Sequence, residues 1–189
     1  MLAYHWSSPK NRKPTRDHLF DVGPHQQTCG LFEDEEPELG YDSGGRLFKP
    51  RGLWFSPVGA VNSWEDWCRG EDFNIEGLAH RHVLDLDETN LKMITSVAEL
   101  DHFSIEYGRD AWGPDNDKSF VYWMINWRRL QREGYKGIVI SPYQWSRRLD
   151  MGRGHGCVSD WYYPWDCASG CVWDSSAIRS VECDTAAKI

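Results

Sequence analysis

The chain holds no apolar run approaching the roughly 20 residues that a membrane-spanning helix needs. Its start, Met1-Leu2-Ala3-Tyr4-His5, has none of the charged-then-apolar pattern of a signal peptide. These absences predict a cytoplasmic protein without a membrane partner. Positive charge is scarce too: 21 Lys and Arg stand against 29 Asp and Glu, a net charge of -8, which argues against broad electrostatic binding to nucleic acid or anionic lipid. Basic residues gather only locally, at Lys10 to Arg16, Arg128-Arg129 and Arg147-Arg148, and each group reads as a solvated face. No G-x(4)-G-K-[ST] phosphate loop and no G-x-G-x-x-G fingerprint occurs, so a nucleoside-triphosphatase or a Rossmann oxidoreductase is not expected. The six cysteines lack metal-site spacing. Only Cys167 and Cys171 form a close pair, while Cys29, Cys68, Cys157 and Cys183 fall at irregular distances. Reduced, buried thiols and no metal are the expectation.

Aromatic residues, by contrast, are abundant. Eleven tryptophans in 189 residues exceed what a core of this size usually employs, and several stand beside Gly, Ser or Asp, so some are expected to line a pocket. The length suits one domain with a single core. Residues 8–46, rich in Pro, Gly and charge, read as a surface excursion on it.

Leu2 to Ser7 reads as a first strand with Tyr4 and Trp6 on one face and His5 on the other. Strand character returns at Leu47 to Ser56, where Gly52 permits a close backbone approach and Ser56 offers a hydroxyl. A short helix over Trp64 to Glu71 follows, capped by Ser63, with Trp64 and Trp67 on one face. His80 to Leu86 alternates as a half-buried strand, its His80 and His82 sharing a solvated face. A helix capped by Ser96, with Glu99 in the capping-box position, runs to about Tyr107, and residues 108–118 read as a polar loop. Tyr122, Ile125, Asn126, Arg129 and Leu130 fall at helical spacing in a helix ending at Gly134. Gly137 to Ile140 reads as a strand buried on both faces, residues 144–159 as a loop, and Ala177 to Glu182 as the last strand.

Three segments, Tyr4-His5-Trp6-Ser7, Gly52-Leu53-Trp54-Phe55-Ser56 before the aromatic helix, and Tyr135-Lys136-Gly137-Ile138-Val139 before a late acidic turn, fall in an order that resembles the ADP-ribosyltransferase superfamily. The segments K-P-R-G-L-W, P-Y-Q-W and W-D-C-A-S-G-C-V-W also resemble small bacteriophage and bacterial proteins, which would put the chain in a bacterial host cell. The first resemblance implies an α+β domain built on a split, mixed β-sheet with short helices. It implies NAD as substrate and a protein or nucleic-acid acceptor for the ADP-ribosyl group. It also assigns roles: His5 binds the nicotinamide ribose, Ser56 positions the nicotinamide end, and Trp64 or Trp67 stacks on the ring. Tyr4, Arg51, Gly52 and Trp54 complete the NAD contacts. Where the family carries a late Glu, this chain has Asp166, one methylene shorter, as the nearest carboxylate, and His5 and Asp166 become the catalytic pair.

The chemistry can be stated from the residues. Breaking the bond between nicotinamide and ribose builds positive charge on the sugar, which a nearby carboxylate such as Asp166 opposes. Indole walls exclude water, and Arg51 or Arg147 supplies a planar fork for the pyrophosphate. Other readings of the same residues stand beside this one. Trp64 and Trp67 fill the core under a strand-to-helix turn; Asp166 bonds the amides of its own Asp-Cys-Ala-Ser-Gly turn; His5 is a hydrogen-bonded core histidine. On those readings the chain is a non-catalytic module that holds a nucleotide or a partner protein in an aromatic cleft.

Overall fold

The computed structural model describes residues 1–7, 49–50, 52–112, 121–150 and 159–184. The excursion over residues 8–46 and Arg51 therefore lie outside the described residues. In chain order the strands are β1 (Leu2–Ser7), β2 (Leu53–Pro57), β3 (His80–Leu86), β4 (Leu91–Ile94), β5 (Gly108–Trp112), β6 (Val121–Ile125), β7 (Gly137–Ile140), β8 (Ser169–Val172) and β9 (Ile178–Asp184). Seven of them form one curled sheet in the order β4-β7-β8-β2-β1-β3-β9, and β5 pairs with β6 on its own. Only the β4–β7 pairing is parallel, so the fold is of the mixed α+β class.

Local chemistry explains most boundaries. Helix α1 (Trp64–Gly70) starts at Ser63, whose Oγ accepts from Asp66 N at 3.2 Å while the Asp66 carboxylate accepts from Ser63 N at 2.9 Å, a reciprocal capping box. Helix α2 (Val97–Tyr107) is capped by Ser96 as expected, but Glu99 reaches one residue further back, to Thr95 N at 2.6 Å. The helix expected over Tyr122 to Leu130 is instead β6 followed by the short α3 (Trp127–Arg132), capped by Asn126. The β-branched and aromatic run from Val121 to Ile125 finds a partner in β5, and that pairing overrides the helical spacing. The polar loop expected over residues 108–118 accordingly opens with strand β5. The loop expected over residues 144–159 opens with one helical turn, α4 (Trp145–Arg148), and of the strand expected over Leu47 to Ser56 the part from Leu53 is β2, while Leu47, Phe48 and Arg51 lie outside the described residues.

The two faces of the sheet carry separate cores. On one, α2, α3 and the turn around Trp161 pack Leu100, Phe103, Leu130, Trp161 and Trp165 over Ile138, Ile140 and Cys171. On the other, inside the curl, lie Ala3, Leu53, Phe55, Leu84, Leu86, Val139 and Ile178. Trp161 and Trp165 are fully buried and Trp127 and Trp173 nearly so, so much of the tryptophan excess is core and not pocket lining. Each such indole buries about 150 to 250 Å². Polar ends are met internally where they can be: Trp161 Nε1 donates to Ser104 Oγ at 2.8 Å and Trp123 Nε1 to the Ser104 carbonyl at 2.7 Å.

Candidate functional site

The join between β1 and β2 organises everything near the site. β1 pairs with β3 over all six residues, yet it pairs with β2 only at Ala3↔Pro57 and Tyr4↔Ser56. Past that point the two strands part. The imidazole of His5 bridges the opening, its Nδ1 donating to the Trp54 carbonyl at 2.8 Å. Residues directly opposite in an antiparallel pair share a face, so Tyr4 lies on the side of Ser56 and Trp54, whereas His5 lies on the side of Ala3 and Phe55. There it stacks on His82 with ring centroids 6.0 Å apart. His5, Ser56 and Trp64 were expected to line one pocket; adjacent strands carry His5 and Ser56 and α1 carries Trp64, but the side chain of His5 leaves on the opposite face of the sheet from Ser56. Strict alternation along β1 is the reason. Burial holds the His5 pKa below its ordinary value, with the bond to Trp54 working against that shift.

Ser56 is wholly buried and its Oγ accepts from Trp64 N at 2.9 Å. It fastens the first turn of α1 to the strand. Trp64 and Trp67 stack on each other, 5.2 Å between centroids at 23°, and Phe73 meets both edge-on. Tyr4 lies under the Arg81 guanidinium at 4.5 Å. Gly52 has φ +151, and a side chain there would drive a Cβ to 2.1 Å from the Val172 carbonyl, so its close approach is to β8. Arg147, offered above as a pyrophosphate fork, is held by both Asp101 oxygens at 2.7 and 2.6 Å. That geometry corrects its role to a structural one.

Asp166 stands just ahead of β8 and is not a turn carboxylate. Its Oδ1 accepts from Arg148 Nη2 at 2.6 Å, and its Oδ2 faces Lys49 Nζ at 4.0 Å. Lys49 in turn lies 5.1 Å over the ring of Trp54, which packs edge-on against Trp165 at 4.9 Å. Arg148 sits beside Trp145 and Tyr163, at 5.7 and 5.9 Å, both of them half exposed. Ala168 N donates to the Asn62 carbonyl at 2.7 Å, which brings the start of β8 against the turn leading into α1. The Cys68 thiol on α1 is pushed up to about 11 by burial and by the negative charge of Asp166, so it is inert as a nucleophile at neutral pH. Cys68, Cys167 and Cys171 are buried free thiols, as composition suggested.

The structure thus brings together Asp166, Trp54 and the turn before α1, and adds Lys49, to which sequence reasoning assigned no role, and Arg148, which it placed on a solvated face. Both were in plain view, Lys49 at the head of the segment carrying Gly52 and Trp54 and Arg148 beside Arg147. Nothing in the spacing tells which of two neighbouring arginines turns toward a carboxylate 18 residues on. No protein-family model, curated protein or solved structure matches the chain.

Proposed function

We propose that the chain binds NAD on the Trp54 face of the sheet and breaks its nicotinamide–ribose bond, passing the ADP-ribosyl group to a protein or nucleic-acid acceptor or to water. The observation that carries this reading is the run β8-β2-β1: β8, which Asp166 precedes by three residues, and the strands bearing Ser56 and His5, distant in sequence, are consecutive neighbours in one sheet. On this reading Asp166 opposes the charge that builds on the ribose, and Trp54 walls the site. Ser56 and His5 act as positioning residues, the one through the Trp64 amide and the other through the Trp54 carbonyl. The Asp166→Asn variant keeps size and most hydrogen bonds. Because the charge acts mainly in the transition state, it lowers nicotinamide release by about 100-fold or more while NAD affinity stays within about threefold. A variant that releases nicotinamide at the parent's rate excludes Asp166 as the acid.

A second reading rests on one specific contact. The 2.6 Å pairing of Arg148 with Asp166 draws off part of the carboxylate's field, which suits a module that holds a nucleotide without reacting with it. Incubating the parent protein with NAD separates the two: binding with no nicotinamide released leaves the module.

A further inference from the structure

The two cations that flank Asp166 are not equivalent, and the difference points to a ligand. Arg148 is committed: Nη2 donates to Asp166 Oδ1 and Nε to the Tyr163 carbonyl at 3.2 Å. Lys49 is not. Among the described residues no acceptor lies within hydrogen-bond distance of its ammonium; the nearest is Asp166 Oδ2 at 4.0 Å, too far for a direct bond and right for one intervening oxygen. The ammonium is also partly withdrawn from water, resting over Trp54, and burial lowers its pKa. A desolvated ammonium with idle donors is costly unless an anion meets it. Among the described residues, Lys49 and Arg148 are two cations facing one carboxylate. Arg148 bonds one oxygen of that carboxylate and Lys49 stands 4.0 Å from the other, which puts the two cations within the span of a phosphate or pyrophosphate. Trp54 lies under the same spot, and Tyr163 and Trp145 flank Arg148.

We infer that Lys49 and Arg148 form an oxyanion-binding pair for the phosphate groups of a nucleotide, with Lys49 supplying donors that no acceptor among the described residues takes up. The inference deepens the NAD reading and rests on it for the identity of the ligand. In a dinucleotide the pyrophosphate is joined to the nicotinamide ribose through its 5′ carbon, so a phosphate subsite next to the acid that faces the ribose is the arrangement such a ligand requires. Lys49 then takes the role assigned above to Arg51 or Arg147.

The probe is ADP, with adenosine as the comparison, titrated calorimetrically into the intact parent chain and into Lys49→Gln and Arg148→Lys. ADP is expected to bind at least about tenfold more tightly than adenosine, an advantage that shrinks as salt rises. Lys49→Gln is expected to remove most of that advantage and leave adenosine affinity and the melting temperature where they were; Arg148→Lys, which keeps the charge but loses the planar fork, removes part of it. Equal affinity for ADP and adenosine in the parent, or a Lys49→Gln variant that binds ADP as the parent does, overturns the inference. A parent that binds ADP through Lys49 yet leaves NAD intact keeps the subsite and removes the transferase reading. One that consumes NAD while Lys49→Gln binds ADP undiminished does the opposite.

Discussion

His82 shows how one side chain can set the response of the fold to acid. It is 1% exposed, its Nε2 meets Ser7 Oγ at 3.0 Å, and its Nδ1 has no partner among the described residues. Burial first, and then the charges of His5 and His80, push its pKa down to about 4. An unfolded chain holds that group near 6.5, so between those values the unfolded state binds the extra proton. The His82 contribution to stability is therefore fully present above about pH 6.5 and lost as pH falls toward about 4. Over the whole window it amounts to about 3 kcal/mol. Melting temperatures taken from pH 7 to pH 4 are expected to fall, and His82→Gln to flatten that slope. An unchanged slope in the variant would assign the acid sensitivity to other groups. The strand reading of residues 80 to 86 was right, but it put His82 on a solvated face. Alternation gives the two sides of a strand; it does not say which side the rest of the chain will cover.

At the scale of elements, the capping residues and the alternating strands were readable because their causes are local. Ser63 and Ser96 bond amides three residues on, and β1, β3 and β7 announce themselves by composition and period. β8 was not readable. Its Ser169-Gly170-Cys171-Val172 sequence is fixed by neighbours: a Cβ at Gly170 would stand 2.4 Å from the Phe55 ring and 2.7 Å from the Ile138 carbonyl, so β2 and β7, both distant in sequence, explain the glycine. The same holds for the site. The Asp166–Arg148 and Asp166–Lys49 pairs depend on how the ends of α4 and β8 meet, which no local period encodes. Ser56 joins the two kinds of information, being a strand residue whose hydroxyl serves a helix. Ser56→Ala leaves the part-buried Trp64 amide without its acceptor and is expected to cost about 1 kcal/mol. Denaturant unfolding measures that loss, and ADP affinity should survive it. A variant of parental stability that no longer binds ADP would return Ser56 to the ligand.

At the scale of the whole molecule, the sheet is two sets of strands, β4-β7-β8-β2 and β1-β3-β9, that meet along two residue pairs. Two further hydrogen bonds cross the seam, from the Val58 amide to the Leu2 carbonyl at 3.0 Å and from His5 to Trp54, and the core of Ala3, Leu53, Phe55 and Leu84 packs across it. Sub-global openings follow boundaries of this kind. Native-state hydrogen exchange is expected to sort the strand amides into two groups with different opening free energies, divided between β1 and β2, and His5→Ala to widen the difference. A single opening free energy shared by all seven strands would show that the two sets unfold as one.

That seam also determines what a bound molecule can sense. A small anion held at Lys49 and Arg148 touches only the half that contains β2 and β8, and adds nothing across the seam. A longer ligand that also reaches Tyr4 rests on both halves and works as a clamp across them. Length alone then separates the two cases: the short molecule rides on one plate, while the long one damps the bending of the pair.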